Sequence, residues 1–261
     1  MSKDNLGDFC KFFETQETAK VCLPGLPIYA RLDGRGFSKF TKKMKFTKPF
    51  DEKMCAAMIN TMHAVVDEFD ATVGYTQSDE ISIGWTNENV IFGGKIQKLV
   101  SSLASFASVI FFKQFSFEND YTPTFDCRVF PVPSKKVLAT QFLWRELDCT
   151  KNAITMAAQS KFSHKQLMNK NSTEKQEMMH SVGLNFNDYP AMFKRGTFCL
   201  RREILKEISP EILEKIPLKN RPSEPVKRRF LIDISLPRLA SIQNIESVLF
   251  EGQFPVIKET K

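Results

Sequence analysis

The chain has 261 residues, 42% hydrophobic and 26% charged, which is enough to bury a sizeable core in one large domain or two modest ones and excludes a mini-protein. Six cysteines are scattered without a Cys-x-x-Cys pair, and none of the three histidines is spaced with another as a metal pair, so neither a disulfide framework nor a sequence-local zinc motif is indicated. A net charge of +7 favours a polyanionic partner, because lysine and arginine release counterions from phosphate backbones.

In chain order, an amphipathic stretch at residues 9–19 comes first, with no signal-peptide layout ahead of it and no membrane-length apolar run anywhere; a cytoplasmic protein with reduced thiols is expected. Residues 28–32 form a short apolar run that reads as a buried strand ending at Asp33. A basic, aromatic-studded loop over residues 39–48 follows, and Pro49 suits a helical first turn. Met54, Met58, Met62, Val65, Val66 and Phe69 then recur at helical spacing, with Asp51 and Glu52 at the end where the helix dipole favours acids. Residues 71–75 and 81–85 read as two strands joined by a tight turn, and Gly93-Gly94 opens a second helix whose stripe runs from Ile96 to Ile110. Residues 125–130 alternate as a strand and are closed by Pro131 and Pro133.

The order strand, helix, hairpin, helix, strand predicts an α+β fold. It is a split βαββαβ arrangement with an antiparallel sheet and helices on one face, the topology of a polymerase palm, over residues 1–135. From residue 136 to 261 a mostly helical region is expected to pack on that palm. It has helices at 136–162, 172–181 and 189–193, late strands at 197–202 and 230–234, and a basic appendage over about 203–229.

Asp33, Asp79 and Glu80 stand at the ends of apolar runs, so three carboxylates are expected to meet at one sheet edge. Hard divalent cations take oxygen ligands, and a pair of them can clamp the attacking and leaving oxygens of a phosphoryl transfer. Asp33 and Asp79 are the expected ligands. Gly34, lacking a side chain, can offer its carbonyl as well. Lys95 and Lys98 in the first turn of the helix opened by Gly93-Gly94 make a candidate triphosphate seat, although the P-loop spacing is absent. Five lysines interleaved with Phe40 and Phe46 suit nucleotide phosphates or an RNA backbone with stacking, and Lys194-Arg195 and Lys227-Arg228-Arg229 add basic patches.

The segments Arg31 to Phe37, Lys48-Pro49 with Asp51, Gly74 to Ser82, Phe125 to Phe130 and Met192 to Thr197 together resemble the tRNA(His) guanylyltransferase family and its Thg1-like relatives. That resemblance implies a palm enzyme adding nucleotides to tRNA 5′ ends in the 3′-to-5′ direction. It also implies two Mg²⁺ ions on Asp33, Asp79 and the Gly34 carbonyl, with Glu80 as a further essential acid. Nucleotide contacts with ATP or GTP follow for Arg35, Gly36, Phe37, Ser38, Lys48, Asp51, Ser78, Lys95 and Lys98, RNA contacts for Asn152, Lys175, Lys194 and Arg195, and a homotetramer for the assembly. The chain departs from the family where its His-Ile-Asn-Asn-Leu-Tyr-Asn element is replaced by Thr150-Lys151-Asn152-Ala153-Ile154-Thr155-Met156, leaving Asn152 in place. Templated 5′-end repair or tRNA processing is therefore the first expectation and G addition to tRNA(His) the alternative. A palm-type nucleotide cyclase and a non-catalytic RNA-binding relative are the remaining readings.

Overall fold

A computed structural model describes residues 5–86, 91–115, 122–222 and 226–259. The elements are α1 (Asn5–Thr18), β1 (Ile28–Arg35), α2 (Phe37–Lys43), α3 (Glu52–Glu68), β2 (Val73–Gln77), β3 (Glu80–Trp85), α4 (Ile96–Phe112) and β4 (Thr124–Pro131). They continue with α5 (Lys135–Gln159), α6 (His164–Leu167), α7 (Ser172–Ser181), α8 (Ala191–Arg195), β5 (Thr197–Lys206), α9 (Pro210–Lys215), β6 (Val226–Ile234) and α10 (Ile245–Phe250). The strands form one antiparallel sheet in the order β4-β1-β3-β2-β5-β6. Its first four strands with α3 and α4 are the split βαββαβ unit read from the sequence.

Strand alternation sorts the side chains between two faces. Ile28, Ala30 and Leu32 of β1 and Ile81 and Ile83 of β3 pack beneath the methionine stripe of α3 and beneath Leu99 and Leu103 of α4. Tyr29, Val73 and Tyr75 point the other way, against Leu138 and Phe142 of α5 and against Leu239, Ile242, Val248 and Leu249 from the end of the chain. The second half of α5 leaves the sheet and buries Ala153, Ile154, Ala157 and Ala158 against Leu167, Met179 and Phe186. This makes α5 the wall between sheet and helical lobe.

Three local expectations change. The basic loop is in part a helix, α2, because Phe37 and Phe40 stand three apart and both rings are buried in an aromatic cluster with Phe111. Pro49 precedes α3 instead of opening it, and the N-cap is Asp51, whose carboxylate accepts from Met54 N at 3.0 Å and Thr47 N at 2.8 Å. The sheet also runs past residue 135: β5 pairs with β2, and β5 and β6 stay in register out to Lys206 and Val226, so much of the basic appendage is a strand pair. The side chains of Lys227, Arg228 and Arg229 lie outside the described ones. Apolar Leu6, Phe9, Phe12 and Phe13 of α1 are exposed in the single chain.

Candidate active site

The site starts from the two-residue turn between β2 and β3, where Gln77 pairs with Glu80 and Ser78 adopts φ of 56°. The Asp79 carbonyl accepts from Gly34 N at 3.0 Å, which fastens the turn to β1 beside Asp33. Asp79 is mostly buried, and burial, followed by the charge of Asp33, pushes its carboxyl up from the ordinary range. The groups that pull it back are its own backbone N–H and the Ser78 hydroxyl, which donates to Asp79 Oδ1 at 3.2 Å; no cationic side chain is among them. Asp79 set against Asp33, with no cationic side chain among the groups that act on it, offers hard oxygen donors, which fit Mg²⁺ and similar ions.

Gly34 has a second reason to be glycine. A Cβ there would lie 2.4 Å from Phe37 Cδ2, so the Phe37 ring fills the space a side chain would take. Gly34→Ala should push that ring out of the cluster with Phe111 and Phe125 and lower stability by about 1–3 kcal/mol, measurable by urea unfolding.

Glu80 lies across from Asp33 in the β1–β3 register, on the face toward α5. There Arg145 Nε and Nη2 donate to its two carboxylate oxygens at 2.6 Å each, and Nη2 also reaches Asp148 at 3.1 Å. Ser82 Oγ donates to Glu80 Oε1 at 3.4 Å and meets Tyr29 Oη at 2.7 Å. Burial pushes the Glu80 carboxyl up and the bonds from Arg145 pull it down, with burial the larger effect. Burial lowers Arg145, but its bonds to Glu80 outweigh that and hold it up, so it stays a cation. Both Glu80 oxygens are thus engaged by Arg145. Glu80 stands beside the Asp33–Asp79 pair as the anchor of the turn.

A cleft of about 500 Å³, within the range of nucleotide-sized pockets, opens beside the turn. Its lining includes Phe37, Ser38, Lys48, Asp51, Ser78 and Asp79 from the palm and Asn152 and Met156 from α5, so six of the expected nucleotide and metal residues and one expected RNA residue converge there. Ser38, Lys48, Ser78 and Asn152 are exposed and available to a ligand. Phe37 is core and Asp51 is committed to its cap, so both shape the wall instead of reaching from it. The Phe40 and Phe46 rings likewise pack edge-on or tilted against Phe115 and each other, which commits them to the core cluster. Arg35 and Gly36 follow Asp33 at the end of β1, and Gly36, at φ of 71°, is the N-cap of α2.

Lys95 and Lys98 do not join the carboxylates within this chain. β3 runs away from the turn, with Trp85 opposite Ile28, so the helix that follows starts at the far end of the sheet from Asp33. There Lys98 Nζ sits 4.8 Å from the centre of the Phe92 ring. Of the remaining expected RNA contacts, Lys175 donates to Thr155 Oγ1 at 3.0 Å and Lys194 to the Asn187 carbonyl at 2.5 Å, while the Arg195 carbonyl accepts from Tyr75 Oη at 2.8 Å. The last contact belongs to a close approach that sequence reading did not find: Gly196, at φ of 80°, leaves no room for a Cβ, which would sit 2.4 Å from the Thr76 carbonyl oxygen. Arg145 was also not assigned a role, its one local signal being Asp148 three residues on in the same helix.

The model of the family described as tRNA(His) guanylyltransferase matches residues 8–133. The tRNA(His) guanylyltransferase of Schizosaccharomyces pombe is 34% identical over 213 residues, covering 76% of this chain and 82% of that protein. Among solved structures, a bacterial tRNA(His) guanylyltransferase (Thg1)-like protein in complex with ATP aligns with a TM-score of 0.70 and 32% identity over 76% of this chain and 87% of its own. A bacterial Thg1-like protein in complex with GTP aligns with a TM-score of 0.69 and 27% identity over 91% of this chain and 94% of its own.

Proposed function

Because this chain belongs to the tRNA(His) guanylyltransferase family, and is with it a nucleotidyltransferase, we propose that it adds guanylate to the 5′ end of tRNA(His) in the 3′-to-5′ direction. The observation that carries this reading is Asp79, which lines a nucleotide-sized cleft and feels the charge of Asp33 beside it. Binding of ATP and GTP by the solved relatives supports those triphosphates as substrates. When bound, two Mg²⁺ ions would neutralise charge on the triphosphate and polarise the attacked phosphorus. Asp33, Asp79 and the Gly34 carbonyl would hold them.

The chain's own groups do the rest. The RNA 5′-monophosphate attacks a nucleoside triphosphate and releases pyrophosphate, and the 3′-hydroxyl of the incoming nucleotide then displaces the activating nucleotide. Lys48, Ser38 and Ser78 line the cleft where phosphates would lie, and Asn152 faces them from α5. The Glu80–Arg145 pair keeps the turn, and hence Asp79, fixed against β1. Lys175, Lys194 and Arg195 would approach the RNA from the helical lobe. A homotetramer acting in the cytoplasm belongs to the same proposal, and no helix among the described residues is long and apolar enough to cross a membrane. Sedimentation would test the tetramer.

Templated repair of truncated tRNA 5′ ends is the second reading, favoured by the altered run from Thr150 to Met156, of which the altered Met156 and the retained Asn152 line the cleft. The names of the relatives weigh toward guanylate addition. One assay separates the two: labelled intact tRNA(His) and a 5′-truncated tRNA, each offered the four nucleoside triphosphates singly. Guanylate addition to intact tRNA(His) alone supports the first. Filling of the truncated end by base-pairing nucleotides supports the second, and no incorporation on either RNA would overturn both.

A further inference from the structure

On the sheet face opposite Glu80, three side chains far apart in sequence come together. The β5–β6 register sets Cys199 directly across from Asp233, so both project from the same face, and Cys199 belongs to the core under α3. His63 descends from α3 beside them. Its Nε2 meets Asp233 Oδ1, and its Nδ1 stands 3.8 Å from Cys199 Sγ. One ligand atom from each of the three lies within 4.8 Å of the others.

We propose that His63, Cys199 and Asp233 form a binding site for a zinc-class divalent transition metal, separate from the carboxylate pair at the turn. A tetrahedral zinc ion with bonds of about 2.3 Å to sulfur and 2.0–2.1 Å to nitrogen keeps those atoms roughly 3.6 Å apart, close to the spacing of Sγ and Nδ1. Asp233, at the exposed outer strand, completes the set by swinging its carboxylate from Nε2 to the ion. The half-exposed imidazole and the exposed carboxylate give a cation its way in, and the buried sulfur closes the site from below. Thiolate with imidazole selects borderline ions of the zinc type over Mg²⁺, whose preference is for oxygen.

The surrounding charges agree with this. Burial pushes the Cys199 thiol up to about 12, with Asp233 and Asp67 adding to the effect and Arg201 opposing it. The sulfur lies buried, and as a thiol it carries a proton that an incoming ion must release. A metal displaces that proton to solvent and supplies the positive charge a buried thiolate needs. Arg201 does not compete for Asp233, since its guanidinium donates to the Ala71 and Val66 carbonyls and pairs with Asp67 and Asp70. The bound ion would pin the outer strand β6 to α3 and so stiffen the β5–β6 arm.

Cobalt substitution reads this out without any activity assay. The full chain, carrying Asp33→Asn and Asp79→Asn to remove the other cation site, is stripped by chelator, dialysed and titrated with Co²⁺. The expected result is one ion per chain with a thiolate-to-cobalt charge-transfer band and tetrahedral d–d absorption. Cys199→Ser should lose the band, His63→Gln and Asp233→Asn should bind at least about tenfold more weakly, and Zn²⁺ should displace the cobalt. Far-ultraviolet circular dichroism checks that each variant is folded; should Cys199→Ser fail to fold, the His63→Gln and Asp233→Asn titrations decide. Absence of a thiolate band in the folded parent, or its persistence in Cys199→Ser or undiminished affinity in both other variants, would overturn the proposal.

Discussion

Asp79→Asn should abolish nucleotide addition and, in the absence of divalent ions, raise the melting temperature. Asparagine keeps the size of the side chain and the acceptor oxygen for the Ser78 hydroxyl, and the backbone bond from Gly34 to residue 79 is untouched. What disappears is a mostly buried negative charge facing Asp33. Losing an ion ligand removes several kcal/mol of transition-state stabilisation, which is roughly a thousandfold or more in kcat. The stability change has the opposite sign, because burial and Asp33 both raise the Asp79 pKa and so make its ionised form costly in the folded protein. A carboxyl whose folded pKa is raised binds its proton more tightly folded than unfolded. Stability therefore falls as pH rises from the ordinary carboxylate range through the raised value, and is level beyond it. The stability gap between variant and parent should be small in acid and grow as pH rises through the raised value. Mg²⁺ should close it by stabilising the parent alone. Thermal melts of both proteins across that range, with and without Mg²⁺, make the check; a parent that gains nothing from Mg²⁺, or a variant that keeps its activity, would remove Asp79 from the ion site.

The parts of this site that are legible in the sequence are those set by local rules. Short apolar runs bounded by turn signals define β1, β2 and β3, and a two-residue turn fixes the β2–β3 register, which places Asp33 across from Glu80 once β1 pairs with β3. What is not legible depends on direction and distance. Lys95 and Lys98 follow the hairpin closely in sequence, yet a strand separates them from the turn, so proximity along the chain becomes distance in space. Phenylalanines among lysines read as a stacking surface until α2 forms and turns Phe37 and Phe40 inward. β5 and β6 extend the sheet from residues more than a hundred positions past β2, a pairing no local pattern announces. The same is true of Arg145, which meets Glu80 across 65 positions, and of His63, Cys199 and Asp233.

Replacing Arg145 by methionine should cost about 3–5 kcal/mol of stability, while the double variant Arg145→Met, Glu80→Met should recover most of the loss. Glu80 is buried, and its two oxygens take bonds at 2.6 Å from one guanidinium. With that cation gone, the carboxylate retains only the longer 3.4 Å bond from Ser82, too little to offset a buried charge. Asp148 also loses its partner, but at 40% side-chain exposure it is solvated by water and contributes little. Removing both members leaves an apolar pair of comparable volume between β3 and α5, beside Tyr29 and Phe142, where methionine adapts well. The single variant should also be less impaired in acid than at neutral pH. Without Arg145 the main counterweight to burial is gone and only the charge of Arg31 still pulls the Glu80 carboxyl down, so its pKa rises further, and protonation removes the uncompensated charge that destabilises the fold. Urea unfolding of the parent, the single and the double variant at acid and neutral pH measures all three effects. A single variant as stable as the parent at neutral pH would mean that Glu80 is not held by Arg145 and that the turn carrying Asp79 owes its position to the backbone bond from Gly34 alone.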